Sequence, residues 1–147
     1  GPYAADPALP IRSLDRLADW ATAILDLLLQ ELGFERHAED VHTQIIRQVQ
    51  QYVRDHLNGD VALNTIAKHV YLNPTYLSKI YRDKTGEKLS DFILRTRMQQ
   101  AKRLLDNNSM KIYEIAETVG YLSTQHFIRE FKKYYGCTPK KYRVLMK

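Results

Sequence analysis

The chain has 147 residues, enough for one domain or two small ones, with 22 Lys+Arg against 17 Asp+Glu and a formal net charge of +5. A single cysteine, Cys137, excludes an intramolecular disulfide and any Cys-rich zinc site, and makes a reducing cytoplasm the plain expectation. No apolar run approaches the length of a membrane span and no signal peptide is visible, so no membrane partner is expected.

The charge is divided along the chain. Residues 1–44 hold 3 of the 22 basic and 8 of the 17 acidic residues, a net of −5. The other 19 and 9 give residues 45–147 a net of +10. A basic domain behind an acidic segment fits nucleic-acid binding by the back part alone. Solvated helix surfaces are the alternative that charge by itself leaves open.

Gly1-Pro2 reads as the remnant of a cleaved tag, and residues 1–12, with Pro2, Pro7 and Pro10, as a disordered or extended lead-in. Residues 13–40 form the next unit, an amphipathic helix and a linker. Ser13 is placed to cap a helix that runs to about Leu32 and stops at Gly33. Leu14, Leu17, Ala21, Ile24, Leu25, Leu28 and Leu32 fall at helical spacing, with Asp15, Asp19, Asp26 and Glu31 outside. A lone helix cannot bury that apolar face. A second copy, as in a homodimer, or an upstream domain is expected to cover it, in preference to the rest of this chain. Residues 33–40 (GFERHAED) read as the linker.

Residues 41–147 form the main domain. A helix from about Val41 to Leu57 turns Ile45, Ile46, Val49, Val53 and Leu57 inward and ends at Asn58-Gly59-Asp60. A short helix over Leu63–Val70 follows, with Ala62 a poor cap. Asn73-Pro74 opens a helix over about 74–84, stopped by Gly86, with Pro at the first position, where its missing N–H costs nothing. A long helix runs from about Leu89 to Asp106, with Ser90 as candidate cap. At ~1.5 Å per residue it measures roughly 25–27 Å. After Asn107-Asn108 and the poor cap Lys111 comes a short apolar helix with Ile115, Ala116 and Val119, then a turn at Gly120. Ser123 caps a helix over about 124–135 that ends at Gly136. Thr138 and Pro139 start a last short helix, whose Tyr142 and Val144 are expected to fold back on the unit before it.

Two stretches repeat. Leu72–Gly86 (LNPTYLSKIYRDKTG) aligns with Leu122–Gly136 (LSTQHFIREFKKYYG) at an offset of 50, pairing Asn73 with Ser123, Leu77 with Phe127, Tyr81 with Phe131, Arg82 with Lys132 and Gly86 with Gly136. Upstream, Ile66-Ala67 pairs with Ile115-Ala116 and Val70 with Val119 at an offset of 49, so the second turn is one residue longer. Two copies are too few for a solenoid. Each copy instead reads as a helix-turn-helix, the motif that puts its second helix into the major groove of DNA.

The capped helices agree in their faces. Leu77, Ile80 and Tyr81 form one apolar stripe, and Phe127, Phe131 and Tyr134 the other. Opposite lie Thr75, Ser78, Lys79 and Arg82 in the first helix, and Gln125, Ile128, Arg129 and Lys132 in the second. Residues at that spacing share one side of a helix, and such groups suit base edges and phosphates.

At these residues the chain resembles the AraC/XylS family of transcriptional regulators. The family pattern A-x-x-x-G-[FY] followed by F-x-R-x-F-[KR]-[KR]-x-x-G-x-[ST]-P-x-x-[FY]-R is matched without a break by Ala116, Gly120, Tyr121, Phe127, Arg129, Phe131, Lys132, Lys133, Gly136, Thr138, Pro139, Tyr142 and Arg143. The connecting R-x-x-x-A-x-x-L-L is present as Arg97, Ala101, Leu104 and Leu105. The resemblance covers about Ile45 to Arg143. The phrases VYLNPTYLS and KIYEIAETVGY look most like the YesN-like subgroup, in which this domain ends a two-component response regulator.

The resemblance implies an all-α fold of about seven helices, two helix-turn-helix subdomains joined by a long helix, with the N-terminal amphipathic helix added in front. It implies a bacterial, sequence-specific transcription regulator, an activator with repression left open as the alternative, with double-stranded DNA and RNA polymerase as partners. Arg129 matches the family's reading face, so base or phosphate contact is expected of it, and Lys79 is its twin. Thr75, Tyr76, Ser78, Thr124, Gln125 and Ile128 are base-contact candidates, with a bystander role as the alternative; Ile128 suits a thymine methyl. Arg82, Lys132 and Lys133, with the cap residues Asn73 and Ser123, are candidate phosphate contacts. The alternative from another class is a helical protein-interaction module with a basic surface.

Catalytic chemistry has no support in the sequence. His37, His42, His56, His69 and His126 show no helical ligand spacing with a third ligand nearby, so no metal and no cofactor is expected. For His126 a solvated or packing role outweighs base contact, and Cys137 reads as a packed small hydrophobe. No Gly-rich phosphate loop, nucleophile elbow or receiver-type acidic pocket is present.

Overall fold

The computed structural model describes residues 14–31 and 35–146, and every described element is a helix. In chain order these are α1 (Leu14–Glu31), α2 (Glu35–Asp55), α3 (Leu63–His69), α4 (Pro74–Thr85), α5 (Leu89–Leu105), α6 (Ile112–Thr118), α7 (Thr124–Tyr135) and α8 (Pro139–Leu145). The candidate cap Ser13 and the stop Gly33 lie outside the described residues.

The described residues form two cores. The first gathers Val49 and Val53 of α2, Ile66 and Ala67 of α3, Leu77, Ile80 and Tyr81 of α4, and Leu89 and Phe92 from the start of α5. The second gathers Met98, Ala101 and Leu105 from the rest of α5, Ile115 and Ala116 of α6, and Phe127 and Phe131 of α7. α5 therefore belongs to both units. Its 17 residues span about 25 Å at ~1.5 Å per residue. Near its start, Arg95 makes a bidentate ion pair with Glu87 and lies over the Phe92 ring.

Local chemistry explains most helix ends. Asn73 Oδ1 accepts from the backbone N–H groups of Thr75 (2.8 Å) and Tyr76 (3.3 Å). Ser123 Oγ accepts from His126 N, and Thr138 Oγ1 from Lys141 N, both at 3.2 Å. Gly86 (φ +80°) and Gly136 (φ +85°) end α4 and α7 in the left-handed region that glycine adopts without strain. The two poor caps are compensated by neighbours. Asp60 accepts from Ala62 N (2.9 Å) and Thr65 Oγ1 (2.6 Å), and these bonds hold its carboxyl below the usual carboxylate range. Glu114 reaches back to Lys111 N at 3.0 Å.

Several expectations are corrected. α2 begins at Glu35, inside the stretch read as a linker, so a boundary at residue 40 would cut a helix. Apart from Gly33, GFERHAED contains no helix breaker and several good helix formers. Ser90 does not cap α5: Lys88 holds the cap position without a side-chain bond, and Ser90 is already helical. Val144 is exposed, so only Tyr142 folds back, its ring 5.7 Å from Phe131. On α7, Tyr134 is exposed and Tyr135 takes its place beside Phe131 and Tyr142. α1 packs on α2 of the same chain, while Leu25, Leu27 and Leu28 remain exposed.

The turns of the two units share their hydrogen bonds but not their strain. Leu72 N donates to Ala67 O, and Tyr121 N to Ala116 O, each at 2.9 Å. The left-handed residue is Tyr71 (φ +58°) in the first turn and Gly120 (φ +97°) in the second. Tyr71 is 91% exposed and meets no obstacle. Gly120 has no such freedom. A Cβ there would lie 2.0 Å from the Leu57 carbonyl oxygen and 3.3 Å from an Arg97 guanidinium nitrogen. Leu57 follows α2, so this close approach joins the two units. Beside it, Arg97 of α5 lies 5.5 Å over the Tyr121 ring.

Gly120→Ala should therefore cost about 3 kcal/mol or more, since backbone strain and a backbone clash add. Gly136→Ala, with nothing within 4 Å of the added Cβ, should cost about 1–2 kcal/mol for the left-handed φ alone. Urea unfolding of the two variants gives the comparison. Equal losses would mean that the approach to Leu57 can relax.

Candidate nucleic-acid interface

α4 and α7 each have one face in a core and the other toward solvent. On α4, Thr75, Lys79 and Arg82 are exposed and Ser78 is half-buried. On α7, Gln125, Arg129, Lys132 and Lys133 are exposed, Thr124 is half-buried, and Ile128 leans on the second core. The structure thus brings most of the candidate residues into two strips, one per helix. Each strip combines amide or hydroxyl groups with cations, the set that can hydrogen-bond base edges and pair with phosphates.

Three candidates differ from the rest. Asn73 is only 9% exposed, and its side-chain oxygen is committed to two backbone N–H groups of α4. Ser123 is exposed, and its hydroxyl still has a proton to donate while accepting from His126 N. Tyr76 is turned onto the flank of α4, one helical step of ~100° away from Thr75. Its hydroxyl donates to Asp26 Oδ2 of α1 at 2.7 Å.

The opposite flank of α4 opens on a cleft of about 730 Å³ lined by Ser78, Arg82, Lys88, Ser90 and Arg97, with Val61, Leu63 and Ile93 among its apolar residues. Its carboxylate, Asp60, is already engaged by Ala62 and Thr65. The cleft therefore carries positive charge from the edge of the α4 face to the middle of α5. On α7, His126 pairs with Glu130 (3.4 Å) and sets its ring edge-on to Tyr121, a packing role.

Sequence reasoning missed Arg143. In the sequence it is only the last letter of the family pattern. Its guanidinium donates to three backbone carbonyls, Leu105 (3.0 Å), Met110 (2.8 Å) and Asn107 (3.1 Å), and so ties α8 to the end of α5. A cation on the last carbonyls of a helix is favoured by both hydrogen bonding and the helix dipole. Nothing local in the sequence marks a bond across 38 residues.

Two helix-turn-helix units sharing a central helix, each presenting a polar and cationic second helix, define a double helix-turn-helix domain. Residues 66–144 match the family model described as a helix-turn-helix domain. The chain is 31% identical over 123 residues to the Msm operon regulatory protein of Streptococcus mutans, covering 82% of this chain and 44% of that protein. It is 36% identical over 102 residues to the arabinose operon regulatory protein of Escherichia coli, covering 67% and 34%. Among solved structures it resembles the C-terminal domain of AraT, a response regulator of Geobacillus stearothermophilus, with a TM-score of 0.66 at 33% identity over 69% of this chain and 84% of that one. The C-terminal domain of the response regulator YesN of Fusobacterium nucleatum gives 0.62 at 36% identity, covering 65% and 93%. This chain belongs to the AraC/XylS family of helix-turn-helix regulators. It spans less than half the length of the two curated relatives. Among the described residues no helix is long and apolar enough to cross a membrane.

The commitment of Asn73 can be tested. Asn73→Ala should destabilise the domain by roughly 0.5–2 kcal/mol, whereas Asn73→Asp, which keeps the acceptor, should lose little. Chemical denaturation without DNA measures both. Equal losses would show that Asn73 does not act through its cap.

Proposed function

We propose that this domain binds double-stranded DNA site-specifically to regulate transcription, with α4 and α7 seated in successive major grooves. The observation that carries the reading is the pairing of two equivalent, capped, cation-faced helices on the two halves of one shared helix. A protein-interaction surface needs one basic face and has no need of two matched faces held by a rigid spacer. Relatives named as operon regulators support the same reading.

In this arrangement Arg129 and Lys79 reach base edges from the middle of their helices, with Thr75, Ser78, Thr124, Gln125 and Ile128 beside them. Arg82, Lys132 and Lys133 meet the phosphates at the groove margin, and Ser123 joins them from the start of α7. Thr75, Ser78 and Lys79 stand against Gln125, Ile128 and Arg129, so one domain reads two different short elements and its site is not palindromic. α5 spans about 25 Å, against the ~34–36 Å between successive major grooves on one face of straight DNA. The lateral offset of α4 and α7 covers part of the difference. Bending the duplex covers the rest, at of order 1–6 kcal/mol.

Arg129→Ala should weaken the preferred site by about 1–3 kcal/mol and relax base preference at that position. Lys132→Ala should weaken all duplexes alike and lower the salt slope by about one unit. Titrations of preferred and scrambled duplexes at several salt concentrations separate these roles, and indifference of the native protein to the scrambling would favour the protein-interaction module.

The rigid spacing is tested on the DNA side. Inserting about five base pairs between the two elements rotates one to the far side of the duplex, half of the ~10–10.5 base-pair turn. Footprinting should then show only one element protected. Continued protection of both at unchanged affinity would mean that the heads move independently.

A further inference from the structure

One contact beside α4 has no part in the binding scheme. The Tyr76 hydroxyl, in the first turn of α4, donates to Asp26 Oδ2 of α1 at 2.7 Å. His42 Nε2 of α2 lies 3.3 Å from that hydroxyl and 3.4 Å from the same carboxylate oxygen. The side chains are largely enclosed, His42 being 15% and Asp26 28% exposed. A shallow crevice beside them is lined by Asp26, Gln30 and Leu27 of α1 and by Lys79 and Asp83 of α4. An acidic helix thus lies along the edge of the face that carries Lys79.

A helix seated in a major groove has a phosphate strand along each flank, because its ~10–12 Å width fills a groove ~12 Å wide. On the cleft side of α4, that strand would meet Arg82, Lys88 and Arg97. On the other side it would meet α1, whose described side chains include Asp19, Asp26 and Glu31 against Arg16. The two flanks have opposite signs. We propose that α1 is an acidic latch on the first reading helix, in which Asp26 holds Tyr76 and occupies the path of a DNA strand, so that DNA binding at this head competes with the latched state. The proposal rests on the DNA-binding reading of α4.

The latch is built to open. Its hold on α4 is a side-chain contact at the rim of the domain, and Leu17, Leu25, Leu27 and Leu28 of α1 are exposed to solvent. α1 stays packed on α2, and its contact with α4 is the part held by few buried groups, the kind that releases locally. Burial, and then the Asp26 and Asp19 carboxylates, push the Tyr76 phenol above its ordinary range, so it stays a hydrogen-bond donor to Asp26. In a two-state scheme the apparent affinity falls by the fraction of molecules that are unlatched, and breaking the latch restores it.

The test uses the full chain with Asp26→Asn and, separately, Tyr76→Phe. Both should bind the preferred and the scrambled duplex more tightly, by about 3- to 10-fold at low salt, with a smaller gain as salt rises. The direction is decisive for Tyr76→Phe, since loss of a base-reading hydroxyl would instead weaken the preferred site. In the native protein, backbone amides of α1 should lose hydrogen-exchange protection when the duplex is added. Unchanged or weaker binding by both variants, with helical circular dichroism retained, overturns the latch. So does unaltered exchange of α1 at saturating DNA. Failure of the native protein and both variants to bind any duplex overturns the DNA reading, and the latch with it.

Discussion

The structure depends on one shared element, α5. Leu89 and Phe92 are buried in the first core, and Met98, Ala101 and Leu105 in the second. Neither unit is a finished globule without its half of this helix. A connector that completes both cores cannot swivel without opening one of them, since interiors are close-packed and resist continuous deformation. The approach of Gly120 to the Leu57 carbonyl adds a contact that bypasses the helix, and Arg97 of α5 lies over Tyr121 beside it. Relative placement of α4 and α7 is therefore a property of packing, and their separation is fixed before any ligand arrives.

Within that frame the two units solve the same local problems with different residues. The first helix of each motif lacks a capping side chain of its own. Asp60 supplies the bond from two positions upstream in one unit, and Glu114 from within the helix in the other. Both turns need a left-handed residue. Tyr71 bears that strain where space is open, and glycine is required only where Leu57 presses on the chain. The two units thus share a backbone plan while their side chains are chosen independently. The scaffold repeats while the exposed faces are free to differ.

The sequence disclosed what is local or periodic. Asn73, Ser123 and Thr138 announced their caps, Gly86 and Gly136 their stops, and the apolar spacing of α5 its length, because each depends on neighbours within a turn or two. Packing between distant elements was not legible. Arg143 finds its carbonyls more than 30 residues upstream. Tyr76 and Thr75 are adjacent in sequence, yet one meets α1 and the other solvent, and only the placement of α1 decides between them. Tyr135 rather than Tyr134 enters the second core because α8 lies on its side of α7. Periodicity names a face to within about one residue, and the neighbouring helix settles the rest.

The two heads are also braced differently, and the chemistry of the braces sets how freely each can respond. α8 is fixed by a guanidinium fork on backbone carbonyls at and beyond the end of α5. Those acceptors belong to the scaffold and cannot turn away, and without Arg143 a cluster of carbonyls would need new partners. α1 is joined to α4 by one hydroxyl and one carboxylate, with the His42 imidazole of α2 beside them, each on a side chain with rotamers to spare. Such a contact at a partly solvated rim has a net worth of only about 0.5–3 kcal/mol, within reach of a competing phosphate or a change of partner on the exposed leucines of α1. The second unit is therefore fixed, while the first sits beside the part of the domain that a modest free energy can move.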